Sequence, residues 1–251
     1  MALSIRILNR SVISPVAKST SGLVGCHTVT IIAIIGIKGG SGKSTMAVHL
    51  AVAAHQAGFK TAIIDSDSQA TARMWGDRRG EAPFVTPETS TRYIGATIDK
   101  VASDHEVVVI DTPGRADPMM TEAAKRADLI LLPIRPSIND MDTVDGTVET
   151  LRYVPKKQFY LIFTQSPVTT ALQGEEDDCK AALEAMQVPC GFRTGAPTFH
   201  ARKAFRSAMV DGHTAQEYEP EGKAALEAAR MWEWVQATLK LKSRKPRKKA
   251  A

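Results

Sequence analysis

Acidic residues are absent from the first quarter of the chain, since no aspartate or glutamate occurs before Asp65 among its 251 residues. Residues 1–28 are instead rich in serine and small apolar residues, with cations at Arg6, Arg10 and Lys18. Organellar transit peptides share this composition, whereas a secretory signal would need a long apolar core that is missing here. We interpret residues 1–28 as a flexible N-terminal extension, with a targeting role as the alternative.

Cysteine is scarce, and long hydrophobic runs are missing. The three cysteines, Cys26, Cys179 and Cys190, lack metal-ligand spacing, and their odd number argues against a disulfide framework. They also offer no pair suited to an iron–sulfur cluster between subunits. No apolar stretch reaches the length of about 20 residues that a membrane-spanning helix needs. These absences predict a protein of the reducing, cytoplasmic compartment.

Charge of one sign dominates the C-terminal end, although the chain as a whole carries a net charge of only +5. Residues 240–249 contain seven cations and no acid, whereas the rest of the chain has slightly more acids than bases. A separable basic tail favours contact with a polyanion, either nucleic acid or an anionic membrane surface. A solvated tail without a partner is the alternative. We predict that residues 240–251 form a basic disordered tail.

Between these ends, short β-branched runs alternate with segments of helical spacing, which is typical of a parallel sheet with crossover helices. The runs are almost continuously apolar, as expected for strands buried on both faces. The pattern predicts one α/β domain over residues 29–239, a doubly wound and mostly parallel sheet flanked by helices. The predicted strands are 30–37, 60–64, 106–110, 128–133 and 158–163, and the predicted helices are 43–56, 92–103, 116–126, 140–153, 175–186, 198–210 and 222–241.

The first predicted strand leads into a glycine-rich loop followed by a helix, which is the context that a phosphate-binding loop requires. Glycine N–H groups can approach phosphate oxygens, and the helix N-terminus adds a favourable dipole. Lys43 would neutralise the β- and γ-phosphates, and the Ser44 hydroxyl would bind Mg²⁺. The common form of this motif has glycine at the position of Ile37, and here a second lysine, Lys38, follows it. The predicted nucleotide-binding residues are Lys38, Gly39, Gly40, Ser41, Gly42, Lys43, Ser44 and Thr45.

Aspartates follow the next two predicted strands. Asp65 ends the first of them, and Asp67 lies two residues further on. Because ligands bind at the carboxyl edge of a doubly wound sheet, Asp67 could activate water and help to hold Mg²⁺, with N-capping of a helix as the alternative. Asp111 follows the strand at 106–110 and could accept a hydrogen bond from a Mg²⁺-bound water. The predicted metal site therefore consists of Ser44, Asp67 and Asp111.

These motifs, together with residues 127–133 and the pair Pro136–Ser137, resemble the ParA group of deviant Walker A ATPases within the ParA/MinD superfamily. The resemblance covers residues 30–239 and implies a P-loop NTPase fold with ATP and Mg²⁺ as cofactors. It implies catalytic roles for Lys43, for Lys38, which would reach a partner's phosphates across an ATP-dependent sandwich homodimer, and for Asp67, which would position the attacking water.

The same resemblance implies slow hydrolysis until a ParB-like partner protein stimulates it, and an ATP-bound dimer that binds DNA without sequence specificity. Such a protein would be nucleoid-associated. The chain departs from the family at Ser68, where proline is usual, and at Thr164 and Gln165, which replace the usual asparagine-containing base contact. Thr164 and Gln165 are the predicted adenine contact.

The C-terminal helix separates two functional classes, because MinD-like relatives end in an amphipathic helix that binds membrane. Here Trp232 and Trp234 lie about 200° apart at helical periodicity, so they do not form one membrane-facing stripe. We predict that this helix packs on the domain, without stable membrane association. Non-specific DNA contact is predicted on the helix at 198–210 and on the tail, with a solvated helix face as the alternative. The predicted DNA-binding residues are Arg202, Lys203, Arg206, Lys240, Lys242, Arg244 and Lys245.

The sequence thus favours an ATP-dependent partition ATPase that segregates a plasmid, a chromosome or other cargo. A MinD-like membrane-associated ATPase that regulates division or localisation is the first alternative. An enzyme of the same superfamily that uses ATP for ligation or metal-centre delivery is the second.

Overall fold

The computed structural model describes residues 29–154, 158–168, 174, 177–178, 181, 192–193 and 195–245. The predicted N-terminal extension, most of the predicted helix at 175–186 and tail residues 246–251 lie outside these ranges. The described strands are β1 (Thr30–Ile34), β2 (Thr61–Asp65), β3 (Phe84–Pro87), β4 (Val107–Asp111), β5 (Leu129–Ile134), β6 (Gln158–Ser166), β7 (Phe192–Arg193) and β8 (Phe199–His200).

The strands form a sheet in the order β3-β2-β4-β1-β5-β6-β7, and β8 pairs with β6. Every strand pair in the described part of the chain is parallel. The prediction of a doubly wound parallel sheet is confirmed. The chain runs from β1 to β2 and β3 on one side and then returns through β4 to β5, β6 and β7 on the other, so the connections change direction between β1 and β4. Ligands bind beside such a switch point in this class of fold.

Helices cover both faces of the sheet. They are α1 (Lys43–Gln56), α2 (Thr71–Arg79), α3 (Ile94–Asp104), α4 (Pro118–Arg126), α5 (Ile138–Leu151), α6 (Lys203–Ser207), α7 (Ala215–Tyr218) and α8 (Lys223–Leu239), with a 3-10 helix at Ala208–Asp211. Successive residues of β1 point to opposite sides, so Ile32 joins the core under α1 and α8 while Ile31 joins the core under α3 and α4. This two-sided burial explains why the strands are apolar without alternation.

Five described elements were not predicted, and one helix boundary differs from the prediction. The missing elements are α2, α7, β3, β7 and β8. Helix α2 buries only Ala72 and Trp75, β3 is an edge strand with no fully buried residue, and the other three are very short. The predicted helix at 198–210 is wrong in its first turn. There the backbone is extended, since β8 pairs with β6, and the helix begins only at Lys203.

The C-terminal helix α8 packs on the domain through both of its tryptophans. The Trp232 ring meets Phe59 edge-on at 5.3 Å between centroids, and Trp234 meets Tyr160 in the same way at 4.6 Å. The prediction that this helix packs on the domain is confirmed. None of the described helices is long and apolar enough to cross a membrane.

Candidate nucleotide-binding site

The site forms where three parallel strands end side by side. In the sheet register, Asp111 at the end of β4 lies beside Ile34 of β1 on one side and beside Asp65 of β2 on the other. The loop after β1 and both aspartates therefore share one edge of the sheet. The local sequence produces this convergence, because the apolar strands β2 and β4 each end in an aspartate and β1 leads into the glycine-rich loop.

The phosphate loop curls around the side chain of Lys43. This lysine is 5% exposed, and its Nζ donates a hydrogen bond of 2.8 Å to the Lys38 carbonyl. Burial lowers the pKa of Lys43, and the negative charges of Asp111 and Asp67 oppose that shift. Gly42, which precedes α1, has a φ of 86°, a left-handed conformation that glycine adopts without steric cost. A phosphate at this helix N-terminus would meet a cation and free N–H groups together.

The turn that follows β4 packs against the phosphate loop. A Cβ atom at Gly114 would lie 3.0 Å from the Gly39 Cα and 3.1 Å from the Lys43 Nζ, so only glycine fits there without displacement. The Thr112 hydroxyl fixes this turn by donating a 2.8 Å hydrogen bond to the Ile34 carbonyl. The turn formed by Thr112, Pro113 and Gly114 therefore lies against the phosphate loop, where it could contact a γ-phosphate.

Asp111 is the most strongly perturbed carboxyl group of the site. It is fully buried, and neither of its carboxylate oxygens has a hydrogen-bond partner of normal geometry among the described residues. Burial raises its pKa to about 7, the charge of Asp65 adds to this shift, and Ser44 and Lys43 oppose it. A buried carboxylate of this kind needs a further donor or cation.

A Mg²⁺ ion with its bound water would supply what Asp111 lacks. The described residues contain no cluster of three or more histidine, cysteine or acidic side chains that could hold a metal. A nucleotide-bound Mg²⁺ does not need such a cluster. It is commonly held by only one or two protein groups together with phosphates and waters, and it neutralises phosphate charge. The Ser44 hydroxyl would be its direct protein ligand, and Asp111 would accept from one of its waters. The residues present therefore fit a magnesium nucleotide.

Asp65 and Asp67 have separate tasks. Asp65 is buried, and its carboxylate accepts hydrogen bonds from the backbone N–H groups of Asp67 at 3.0 Å and Arg73 at 2.8 Å. It thereby anchors the loop that precedes α2. Asp67 is only half-buried and lines the cavity, with one carboxylate oxygen bound by the Gln69 N–H at 3.0 Å. The structure leaves the second oxygen of Asp67 as the group that could orient water.

Thr164 and Gln165 contact the phosphate loop through their side chains. The buried Thr164 hydroxyl donates to the carbonyls of Ser41 at 2.7 Å and Ile134 at 3.1 Å. The Gln165 amide nitrogen donates to the Gly40 carbonyl at 2.7 Å. Thr164 thus braces the loop, while the exposed Gln165 retains its amide oxygen for a ligand. Adenine contact remains a prediction for Gln165.

A cavity of about 700 Å³ extends from the phosphate loop to β8 and α6. Of the predicted nucleotide residues, Lys38 and Ser41 are not part of its wall. Its lining comprises Gly39, Gly40, Gly42, Lys43, Ser44, Thr45, Met46, Asp67, Ser68, Gln69, Thr71, Pro113, Gly114, Arg115, Thr164, Gln165, Phe199, His200, Ala201, Arg202, Phe205 and Arg206. The sequence did not predict the wall at 199–201 or Arg115, because these residues belong to no phosphate motif.

The far wall of this cavity is held by the buried carboxylate of Glu227 on α8. It accepts from the backbone N–H of His200 at 3.0 Å, from His200 Nδ1 at 2.8 Å and from the Arg202 guanidinium at 2.7 Å and 2.6 Å. This corrects the prediction that Arg202 and Arg206 share a free helical face. Arg202 precedes α6, is 22% exposed in its side chain and already has a partner, whereas Arg206 is exposed.

Replacing Glu227 by alanine should loosen this wall. The donor groups of His200 and Arg202 would lose a buried acceptor, so we expect the free energy of unfolding to fall by roughly 2 kcal/mol, less than for a fully buried pair because Arg202 is partly exposed. If the wall contacts nucleotide, the KM for ATP should rise several-fold with little change in kcat. Thermal unfolding and steady-state kinetics would measure both. Glu233→Ala, an exposed acid on the same helix, is the control, and equal behaviour of the two variants would contradict the assignment.

His49 connects the phosphate-loop helix to α7. It is fully buried in α1, with its Nδ1 at 2.7 Å from the Thr45 carbonyl and its Nε2 accepting from the Ala215 N–H at 3.0 Å. Burial lowers its pKa to about 4, so the ring is neutral at physiological pH. The next residues of α7 reach α2, since Glu217 forms a bidentate ion pair with Arg79. The two helices that leave the site are thus joined behind it.

A lysine-containing loop at the switch point of a parallel sheet, with a buried aspartate at the end of the neighbouring strand, defines a P-loop nucleotide-binding protein. The family model of the CobQ/CobB/MinD/ParA nucleotide binding domain matches residues 32–230. The chain belongs to this family, and the predicted membership of the ParA/MinD superfamily is confirmed.

Individual relatives agree with this assignment. Protein ParA of Rhizobium radiobacter is 32% identical over 113 residues, which cover 44% of this chain and only 50% of that relative. The maintenance of carboxysome distribution protein A of Halothiobacillus neapolitanus is 24% identical over 203 residues, 77% of this chain and 90% of the relative. The solved ATP complex of a Cyanothece McdA variant superposes with a TM-score of 0.70 at 16% identity, covering 88% of this chain and 100% of that one. The superposition bears on the fold alone.

Proposed function

We propose that the protein is an ATP-dependent positioning ATPase of the ParA type. The observation that carries this proposal is that Lys43 and Asp67 line one cavity at the switch point, while the charge of Lys43 acts on the buried Asp111, whose carboxylate lacks a hydrogen-bond partner of normal geometry. Lys43 would neutralise phosphate charge, and the buried Asp111 would accept a hydrogen bond from a Mg²⁺-bound water. Asp67, at the solvent side of the cavity, orients the water that attacks the γ-phosphate. Hydrolysis yields ADP and phosphate.

The second lysine of the loop supports a dimeric mechanism. Lys38 is half-buried and lies outside the cavity lining. The buried Asp140 accepts a bidentate pair of hydrogen bonds from Arg135. Burial raises the pKa of Asp140, but the hydrogen bonds from Arg135 and the charges of Arg135 and Lys38 lower it below its ordinary value. A cation at this position does not serve the nucleotide of its own chain. In a sandwich homodimer it would reach the partner's phosphates and supply positive charge in trans.

The ATP-bound form is proposed to bind DNA without sequence specificity. Lys203 and Arg206 are exposed on α6, and Arg206 also lies on the cavity wall, so its position can respond to bound nucleotide. Phosphate contacts of this kind fix position without reading sequence. The packed tryptophans of α8 leave no apolar stripe for a membrane, which disfavours the MinD-like alternative.

The cargo and stimulating partner follow from the relatives by analogy. One relative is named ParA and another maintains carboxysome distribution, so the common element is the ATP-driven positioning of a large cargo. We propose that a ParB-like protein, or its counterpart on a protein cargo, stimulates hydrolysis and releases the chain from the nucleoid. Plasmid, chromosome and protein cluster are all compatible with the site.

A DNA-binding assay with ATP, ADP and no nucleotide tests this function. Fluorescence anisotropy with a labelled random duplex should show an affinity at least about tenfold higher with ATP, because dimerisation doubles the number of phosphate contacts. The variant Lys203→Ala, whose side chain is exposed outside the cavity lining, should lose part of this increment and keep ATP hydrolysis. Equal affinity in all three nucleotide states would contradict the proposal, as would ATP-dependent binding to anionic vesicles instead of DNA.

A further inference from the structure

The basic tail leaves the domain at the edge of the sheet opposite the nucleotide site. Helix α8 starts beside the cavity, where Glu227 holds His200, and its 17 residues run back along the sheet for about 25 Å. The helix ends at Leu239, and the next residue, Lys240, has the left-handed conformation typical of a helix terminus. The chain then continues on the amino edge of the strands.

Described tail residues are anchored there by specific contacts. The Arg244 guanidinium forms an ion pair with Glu106, the residue before β4, and lies 5.2 Å from the centre of the Phe59 ring. A Cβ atom at Gly58 would lie 2.4 Å from the Lys245 carbonyl oxygen, so only glycine admits the chain at this point. Leu241 also packs against the core next to α8. These contacts correct two predictions, because the described start of the tail touches the domain and Arg244 has an intramolecular partner.

The anchoring of Arg244 leaves three cations of this segment pointing to solvent. Lys240, Lys242 and Lys245 are exposed, as is Lys60 at the start of β2 on the same edge. In the sequence three further cations follow, at Arg247, Lys248 and Lys249. A row of exposed cations held on one surface is suited to the phosphates of a nucleic acid backbone.

These exposed cations lie far from the predicted nucleotide-binding site. The five-residue strands β1 and β4 place the two edges about 17 Å apart. This is about twice the Debye length at physiological ionic strength, so the charge of a bound nucleotide is almost fully screened at the tail. Electrostatic binding by the tail therefore has no means of sensing the nucleotide.

We propose that Lys240, Lys242 and Lys245 form a second nucleic acid contact that is independent of nucleotide. DNA is favoured over a membrane because the apolar residues next to it, Trp232 and Trp234, are packed on the domain and provide no anchor for lipid. The chain would then keep a weak hold on DNA after hydrolysis, while the cavity-side contact is gained and lost with ATP. The inference does not depend on the proposed ATPase cycle, since it concerns the nucleotide-free chain.

The test is anisotropy titration of a labelled duplex with the full chain, without nucleotide and with ADP, over a range of salt concentrations. We expect measurable binding in both states with equal affinity. Lys240→Ala/Lys242→Ala/Lys245→Ala should reduce the log–log salt slope by about 3 and weaken binding at 0.1 M salt by at least about tenfold. Its basal ATP hydrolysis should match the parent, which verifies folding.

The matched control removes three exposed cations from α3, α4 and the turn before α3, in the variant Arg92→Ala/Lys100→Ala/Lys125→Ala. It should keep the parental salt slope. The inference is overturned if nucleotide-free binding is absent at low salt, if both triple variants lose it equally, or if vesicles of anionic lipid bind more tightly than DNA. If the parent chain binds DNA without nucleotide but gains no affinity with ATP, the proposed function is refuted and the tail contact is not.

Discussion

Lys43→Ala is expected to reduce ATP hydrolysis to background and to weaken ATP binding by about 10- to 100-fold. Hydrogen bonds to charged groups contribute about 1.5–3 kcal/mol, and each 1.4 kcal/mol is a factor of ten in affinity. The cation is buried and held at the centre of the loop by its 2.8 Å bond to the Lys38 carbonyl. Its removal leaves the phosphates with N–H groups but without a neutralising charge.

The same substitution has a second effect, which acts through Asp111. The positive charge of Lys43 opposes the burial that raises the pKa of Asp111 to about 7, so its removal raises that pKa further. The carboxyl group would then be protonated at neutral pH and would be a poorer acceptor for a Mg²⁺-bound water. We therefore expect the Mg²⁺ dependence of any residual nucleotide binding to weaken as well.

Titration calorimetry with ATP, with and without Mg²⁺, and phosphate release would measure both effects. Lys100→Ala, which removes an exposed lysine from α3, is the control and should leave both quantities unchanged. Normal turnover by Lys43→Ala would refute the assignment of the phosphate loop. Loss of turnover with an unchanged Mg²⁺ requirement would refute only the role of Asp111.

The parts of the site that the sequence predicted correctly are those determined by short-range pattern. An apolar strand followed by a glycine-rich turn, or by an aspartate, places a functional group at the carboxyl edge whatever the rest of the chain does. The position of Gly114 against Gly39 and the convergence of Asp65 and Asp111 follow from strand order alone. Helix α1 begins and ends as predicted, because its start is set by the loop itself.

The parts that the sequence did not predict depend on contacts between distant residues. The far wall of the cavity exists because Glu227 on α8 binds His200 and Arg202, residues more than 20 positions away, and no local pattern encodes that pairing. Arg202 looked like a surface cation because helical spacing was assumed through a segment that β8 keeps extended. Arg244 was likewise predicted to be free, because its partner Glu106, the residue before β4, is far away in the sequence.

The contrasting prediction concerns Asp67, whose loss should leave ATP binding intact. Asp67 is half-buried in the cavity wall, whereas the buried Asp65 anchors the loop and the buried Asp111 would accept from a Mg²⁺-bound water. Because Asp67 is placed to orient water, Asp67→Ala should lower hydrolysis by about 10²- to 10⁴-fold, the usual contribution of a positioned base. ATP affinity should change little, and removal of a negative charge near the γ-phosphate could even strengthen it.

A chain that binds ATP but does not hydrolyse it should accumulate as the ATP-bound dimer. Size-exclusion chromatography with light scattering should therefore show Asp67→Ala as a dimer with ATP and as a monomer with ADP, and the ATP-dependent DNA increment should persist without decay. Asp77→Ala, which removes an exposed acid of α2 outside the cavity lining, is the matched control and should cycle at the parental rate. Parental hydrolysis by Asp67→Ala would remove this residue from the proposed mechanism.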